Sequence, residues 1–497
     1  MSEHITHSEA GACLQRGFDL HRAGQMDAAE PHYRAALLRR PDFPAAWANL
    51  GLVRMAAGAL DEAEQHQREA LRLDPAFPDA HNGLGLVHYR LGRIAEAENC
   101  FRGCLRLWPE HPGAHLNLAV ALQSRGRLEE AEAWYRDALR RGADAPQVHN
   151  NLSVLLRELG RTAEAEASCR EALRLRPEMA DAQVNLAMSL LLTGRWAEAW
   201  PVYEARWQIG DLALARRGFA PPLWTGAQPI AGRTILLHAE QGFGDTLQFC
   251  RYVPLVAAQG ARVVLEVQPP LARLLTRLEG VTQVVAHGDA LPRFDLHCPL
   301  MSLPRAFATT PETVPGKLPY LTADPAQQAA WRDALAGLDG RRVGLVWAGS
   351  ARAWLPHAMA LDRRRSMRLA DMAPLGAVRG GSFVSLQLGP PAAQLNEPPE
   401  GLPVYDVADR LGDFADTAAL VANLDLVIAV DTAVAHLAGA LGKPVWLLNR
   451  FDTCWRWLLG REDSPWYPTL RQFRRDAQED WANVVGRVAA ALEQFAS

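Results

Sequence analysis

Lysine is almost missing from this chain. Of 52 basic residues in 497, all but Lys317 and Lys443 are arginine. Against 56 acidic residues the net charge is −4, with no basic block. Proteins that track nucleic-acid phosphates need such a block, so nucleic acid is not an expected partner. Long hydrophobic runs are lacking too. No stretch approaches the ~20 apolar residues that cross a bilayer, so no membrane span is expected. The opening MSEHITHSEAGA is polar and has no apolar leader segment. Cysteines number seven, scattered and without CxxC spacing. A disulfide framework or a structural zinc site is therefore not expected, and a reducing cytoplasm fits. Cys100 and Cys104, one helical turn apart, read as two small buried residues rather than a ligand pair. No metal and no bound cofactor are expected.

What is present is ordinary globular material, 49% hydrophobic and 22% charged. The length suits about three domains at ~150 residues each. The N-terminal part of the chain is a repeat. Gly24, Gly58, Gly92, Gly126, Gly160 and Gly194 recur every 34 residues, each followed five residues on by Ala29, Ala63, Ala97, Ala131, Ala165 or Ala199. Pro41, Pro75, Pro109 and Pro177 keep the same register, as do Leu50, Leu84, Leu118, Leu152 and Leu186. Each unit reads as two helices. The glycine ends the first, the alanine allows close approach, and the proline stops the second. Units of this kind bury their apolar faces only by stacking. Residues 10–213 resemble the tetratricopeptide repeat family, about six repeats forming an α-solenoid with a concave groove.

Asn49, Asn117, Asn151 and Asn185 share one position of this repeat, with Gly83 interrupting. A side-chain amide donates and accepts, so a row of them holds an extended peptide backbone without reading its sequence. Local bonding inside each helix pair explains them equally well. Resemblance to the asparagine ladder of O-GlcNAc transferases supports an acceptor-binding role.

Residues 214–233, rich in proline and glycine, read as a linker. Beyond it, apolar runs alternate with helical patterns, which means a mostly parallel α/β sheet. Residues 234–325 form one lobe and 326–475 a second. Residues 476–497 form an amphipathic helix that places Trp481, Val484, Val485, Val488, Leu492 and Phe495 on one face. In the first lobe the run at 235–237 breaks at Gln241-Gly242-Phe243-Gly244-Asp245, and a helix is expected from about Thr246. Strand, glycine turn and helix present backbone N–H groups to an anion. An acidic cap on a tight turn is the plainer reading. Leu247 stands where the dinucleotide fingerprint needs its third glycine, which argues against a nicotinamide enzyme. In the second lobe a strand at 342–346 ends in the turn 348–350. The run at 424–430 delivers Asp431-Thr432 and, one helical turn on, His436. Asp431 suits ribose hydroxyls, Thr432 an N-cap or a phosphate, His436 a phosphate or sugar oxygen. A capped helix with a packed histidine accounts for the same residues.

GFGDTLQF in one lobe and DTAVAHLAGALGKP in the next resemble the heptosyltransferase-like glycosyltransferases of family 9. The whole layout is similar to bacterial proteins that join tetratricopeptide repeats to such a transferase, flagellin-modifying ones included. The resemblance implies a GT-B fold of two Rossmann-like lobes. It implies inverting, single-displacement, metal-independent transfer from a nucleotide-sugar to a polypeptide, flagellin being one candidate. Asp245 matches the proposed general base, with Glu240 the second choice. Gly242, Gly244, Ser350, Arg365, Ser366, Asp431, Thr432 and His436 match the donor site, and Arg456 is a further candidate there. Two departures stand out: Ala433 replaces a glycine or serine, and 351–360 replaces an asparagine-rich segment. A binding scaffold with a degenerate transferase-like domain, or a transferase for a lipid-linked or small saccharide, would use the same motifs.

Overall fold

The computed structural model describes residues 2–349 and 356–495. Helices run in pairs from the N-terminus: Ser2–Arg22 with Met26–Arg39, Pro44–Ala56 with Leu60–Leu73, Pro78–Arg90 with Ile94–Leu107, and Pro112–Ser124 with Leu128–Arg140. Ala145–Glu158 with Thr162–Leu175, and Ala180–Leu192 with Trp196–Tyr203, complete six pairs among the described residues. The repeating glycines all take φ between +74° and +81°, the left-handed conformation that closes the turn inside each pair. The alanines five residues on are all fully buried. Within a pair, bulk on the second helix lies against glycine on the first. A Cβ at Gly85 would stand 2.5 Å from the Phe101 ring.

The chain divides into two compact units. The first holds the helices up to Leu159, most of Thr162–Leu175 and the first half of Pro356–Arg365; the second holds the last helix pair and the rest of the described chain. That last pair joins the α/β region for a packing reason. Trp196 stacks on Trp466 at 4.9 Å, and Trp200 meets Trp455 edge-on at 5.6 Å. The indole N–H of Trp200 donates to the Thr309 carbonyl at 2.8 Å.

The second unit contains two parallel sheets. The first orders as β3-β2-β1-β4, from β1 (Thr234–His238), β2 (Arg262–Val267), β3 (Val281–Ala286) and β4 (Leu296–Pro299). The second orders as β10-β9-β8-β5-β6-β7, from β5 (Arg341–Val346), β6 (Gly381–Ser385), β7 (Val404–Tyr405), β8 (Leu426–Val430), β9 (Val445–Asn449) and β10 (Leu470–Arg474). All ladders are parallel, as the apolar runs require. The final helix, Trp481–Gln494, buries Trp481, Val484, Val485, Val488 and Leu492 in the core under the second sheet. That is the face its periodicity marks in the sequence. The stretch at 214–233 is more tied down than a linker. Leu223 pairs with His297 of β4, and Trp224 is buried. No helix of the described residues is long and apolar enough to cross a membrane.

Candidate functional site

Each sheet reverses its strand order beside one strand, β1 in the first and β5 in the second. Loops leaving such points open a crevice where α/β proteins bind ligands. The sequence motifs lie there. After β1 the helix starts at Phe243, earlier than the sequence suggests, because Asp245 caps it. Asp245 Oδ2 accepts from the Gly242 N–H at 2.9 Å. Its Oδ1 accepts from Arg456 Nη2, on the loop after β9. Arg456 Nε also donates to Gln248 at 2.8 Å, and the guanidinium lies 4.4 Å over the Trp455 ring. The acid of one lobe and the arginine of the other thus form one half-buried pair. That pair raises the Arg456 pKa although burial works against it.

Gly244 sets the closeness of the lobes. A Cβ there would fall 2.9 Å from His436 Cδ2 and 3.4 Å from its Nε2. His436 is buried, stacked on Trp457 at 5.2 Å, with Nδ1 2.9 Å from the Tyr467 hydroxyl. Burial pushes its imidazole down to about 3; Asp431 opposes, while Arg456 and Arg251 add to the shift. The ring is therefore neutral at physiological pH. Thr432 is at the N-cap position of the helix Ala433–Ala440, but its hydroxyl makes no cap bond. It is buried and has no hydrogen-bond partner among the described residues. Beside it, Arg365 Nη1 donates to the Asp431 carbonyl at 3.4 Å and Nε to Asp362 at 2.9 Å. Ser366 Oγ accepts from the Gly349 N–H at 2.9 Å, and a Cβ at Gly349 would overlap the Arg365 guanidinium. Arg365, Ser366, Asp431 and Thr432 thus meet at the ends of β5 and β8. Ser350 and the segment 351–355 lie outside the described residues.

Glu240 is used differently. Its side chain is 2% exposed and faces Arg206, itself 1% exposed, through bonds of 3.0, 3.1 and 3.3 Å. Burial pushes its carboxyl up, to about 7, against the pull of Arg206. This is a buried pair tying the end of the last helix pair to the β1 loop. Next to it, at the C-terminal edge of the first sheet, is a cavity of about 390 Å³. Trp207, Arg216, His238, Gln241, Gln268 and His287 help to line it. Sequence reasoning missed this cavity because part of its wall comes from the stretch read as a linker.

Among the asparagines, Asn49 Nδ2 donates back to the Ala45 carbonyl at 2.8 Å. Asn117 Nδ2 donates to Asn82 at 2.9 Å, and Asn151 Oδ1 accepts from Gln147 at 3.0 Å. Bonds within the same helix, or for Asn117 to the preceding repeat, therefore use part of each of these amides. Their side chains remain half-buried, and so does that of Asn185 in the second unit. Nothing in the sequence signalled Gln387, whose Oε1 holds the N–H groups of Trp347 and Ala348 at 3.1 and 2.9 Å. Tyr467 and Arg251 were equally invisible, since their partners are 31 and 215 residues away.

Residues 381–448, which carry Asp431, Thr432 and His436, match the model of glycosyltransferase family 9 (heptosyltransferase). Residues 6–204 match that of the cilia and flagella-associated protein 70 C-terminal domain. A tetratricopeptide solenoid is here joined to a heptosyltransferase-like α/β module. Protein FlbA of Caulobacter vibrioides is 31% identical over 324 residues, 60% of this chain and 52% of that protein. The chain thus spans about half the length of the curated relative it matches. Among solved structures, a thermophilic TPR protein of Thermus thermophilus is 25% identical over 37% of this chain and 100% of its own, at a TM-score of 0.34. The pilF protein of Pseudomonas aeruginosa is 19% identical over 42% of this chain and 95% of its own, at a TM-score of 0.35.

Proposed function

We propose that the chain is a glycosyltransferase that moves a sugar from a nucleotide-sugar to a polypeptide held by the tetratricopeptide groove. The observation that carries this reading is the meeting of two motifs from different lobes: Asp245 with Arg456, and Gly244 with His436. In the proposed reaction an acceptor hydroxyl attacks the anomeric carbon and Asp245 takes its proton. The bond from that carbon to the nucleotide's terminal phosphate oxygen breaks, with inversion and without a metal ion, as the resemblance implies. Charge grows on the leaving phosphate. The Arg365 charge and hydrogen bonds from neutral His436 and the N–H groups opening the helix Ala433–Ala440 stabilise it. Arg456 has a second part in this scheme. It occupies Asp245 in the resting chain, and a bound phosphate draws it off, freeing the carboxylate to act as base. Asp431 takes the ribose hydroxyls, and Asn49, Asn117, Asn151 and Asn185 the acceptor backbone. Flagellin is the first acceptor to try.

Wild type and Asp245→Asn would be incubated with UDP-, GDP-, ADP- and CMP-sugars and candidate acceptors. One donor should stabilise both proteins thermally, and only wild type should transfer sugar. Wild-type turnover by Asp245→Asn refutes its role as base. A second reading, a scaffold with an inactive transferase-like domain, is favoured by the fact that both Asp245 oxygens already have partners. No thermal shift with any donor would support it.

A further inference from the structure

His436 is held on three sides. Trp457 covers one face with its ring plane 24° from parallel, the Gly244 turn lies against the Cδ2–Nε2 edge, and Tyr467 meets Nδ1. The position of Tyr467 is itself built in. A Cβ at Gly439 would stand 2.4 Å from its ring, so glycine is what lets the phenol pass under the helix to reach Nδ1. On its far side stands Arg251, a cation 3% exposed. Its bonds go to carbonyl and hydroxyl oxygens. Nη1 donates to the Trp466 carbonyl at 2.7 Å, Nε to the Gln248 carbonyl at 2.8 Å, and Nη2 to the Tyr320 hydroxyl at 3.0 Å. Tyr320 donates its own proton to the Leu247 carbonyl at 2.8 Å. The Arg251 guanidinium carbon is 4.8 Å from the Tyr467 ring centroid.

A buried phenol beside a fixed cation turns its oxygen lone pairs toward the charge and its proton away. Here the proton's partner is His436 Nδ1. A neutral imidazole that accepts at one nitrogen carries its proton on the other. We infer that Tyr467, oriented by Arg251, is a positioning residue that fixes His436 as the Nε2–H tautomer, so that the ring offers a neutral N–H donor at Nε2 to the leaving phosphate that the proposed reaction assigns to it. This deepens the transferase reading and rests on it for the phosphate, though not for the tautomer. A neutral donor of fixed direction stabilises charge that grows during the reaction without binding the ground-state anion as tightly as a cation would. Tyr467 is therefore expected to act on kcat more than on the donor KM.

The test uses the full chain with ring-15N histidine, His436 being assigned by its loss in His436→Gln. Wild type should show a protonated Nε2 and an unprotonated Nδ1 at His436. Tyr467→Phe, which keeps the ring packing, should give a mixture of tautomers. In it kcat should fall roughly ten- to a hundredfold, as for other residues that orient a site through a neighbour, with the donor KM within about twofold. Arg251→Lys keeps the charge and should retain the wild-type tautomer. A wild-type His436 protonated on Nδ1, or an unchanged spectrum in folded Tyr467→Phe, overturns the inference whatever the activity. If the tautomer is as stated and no donor is turned over, the transferase reading fails and the tautomer assignment stands.

Discussion

Arg206 offers the sharpest stability test. Its guanidinium is 1% exposed and serves Glu240, Glu204 and Ser302 at once, the last two at 2.7 and 2.8 Å. Removing it leaves the Glu240 carboxylate, 2% exposed, without a counter-charge. Breaking one side of a buried ion pair costs about 3–5 kcal/mol. Replacing both sides by apolar groups of similar shape is about neutral. Arg206→Met should therefore lower stability by up to about 4 kcal/mol above pH 7, where wild type holds the ionised pair, and the double variant Arg206→Met, Glu240→Met should regain most of it. Urea unfolding of the full chain, followed by tryptophan fluorescence, is the assay; Trp196, Trp200, Trp455 and Trp466 are buried nearby. The pH dependence has a definite sign. The folded carboxyl of Glu240 is raised above its ordinary value, to about 7. Its contribution is thus fully present below the ordinary carboxylate range and is lost as pH rises through about 7. Without the pull of Arg206 the Glu240 carboxyl rises further, so the penalty in Arg206→Met should grow as pH rises above about 7 and level off below it, where both proteins carry the neutral carboxyl. A single variant costing under ~1 kcal/mol, or a double variant no better than the single, would refute the reasoning.

Other expectations follow from single contacts. Gly244→Ala drives a methyl into the His436 ring, which Trp457 and Tyr467 keep from yielding; sugar transfer should drop more than about tenfold, and overpacking should lower stability in urea by roughly 1–3 kcal/mol. Gly58 has φ +81° and open space around its α-carbon, so Gly58→Ala should cost ~1–2 kcal/mol in chemical denaturation through backbone strain alone. Asparagine at that position should cost less. Leu492→Ala, on the last helix and 1% exposed, should cost about 2–5 kcal/mol by the same measurement. Arg273 bridges Asp413 and Asp416 but is 47% exposed, so Arg273→Ala should cost no more than ~1 kcal/mol, and added salt should erase the difference.

The chain alone settled what depends on neighbours in sequence. A 34-residue period fixes paired helices, because each turn needs its left-handed glycine and each crossing its small residue. Apolar runs without alternation give parallel strands covered on both faces, and the final helix shows its buried side plainly. The two glycosyltransferase-like motifs could be picked out because each is one continuous turn. Partnership between distant residues was not legible. Arg456 meets Asp245 across 211 positions, and Arg206 meets Glu240 across 34. No local pattern encodes such encounters. They are decided by how two sheets and the last helix pair close on a shared tryptophan cluster, and that closure assigned one carboxylate to the interlobe pair and locked the other in a buried one.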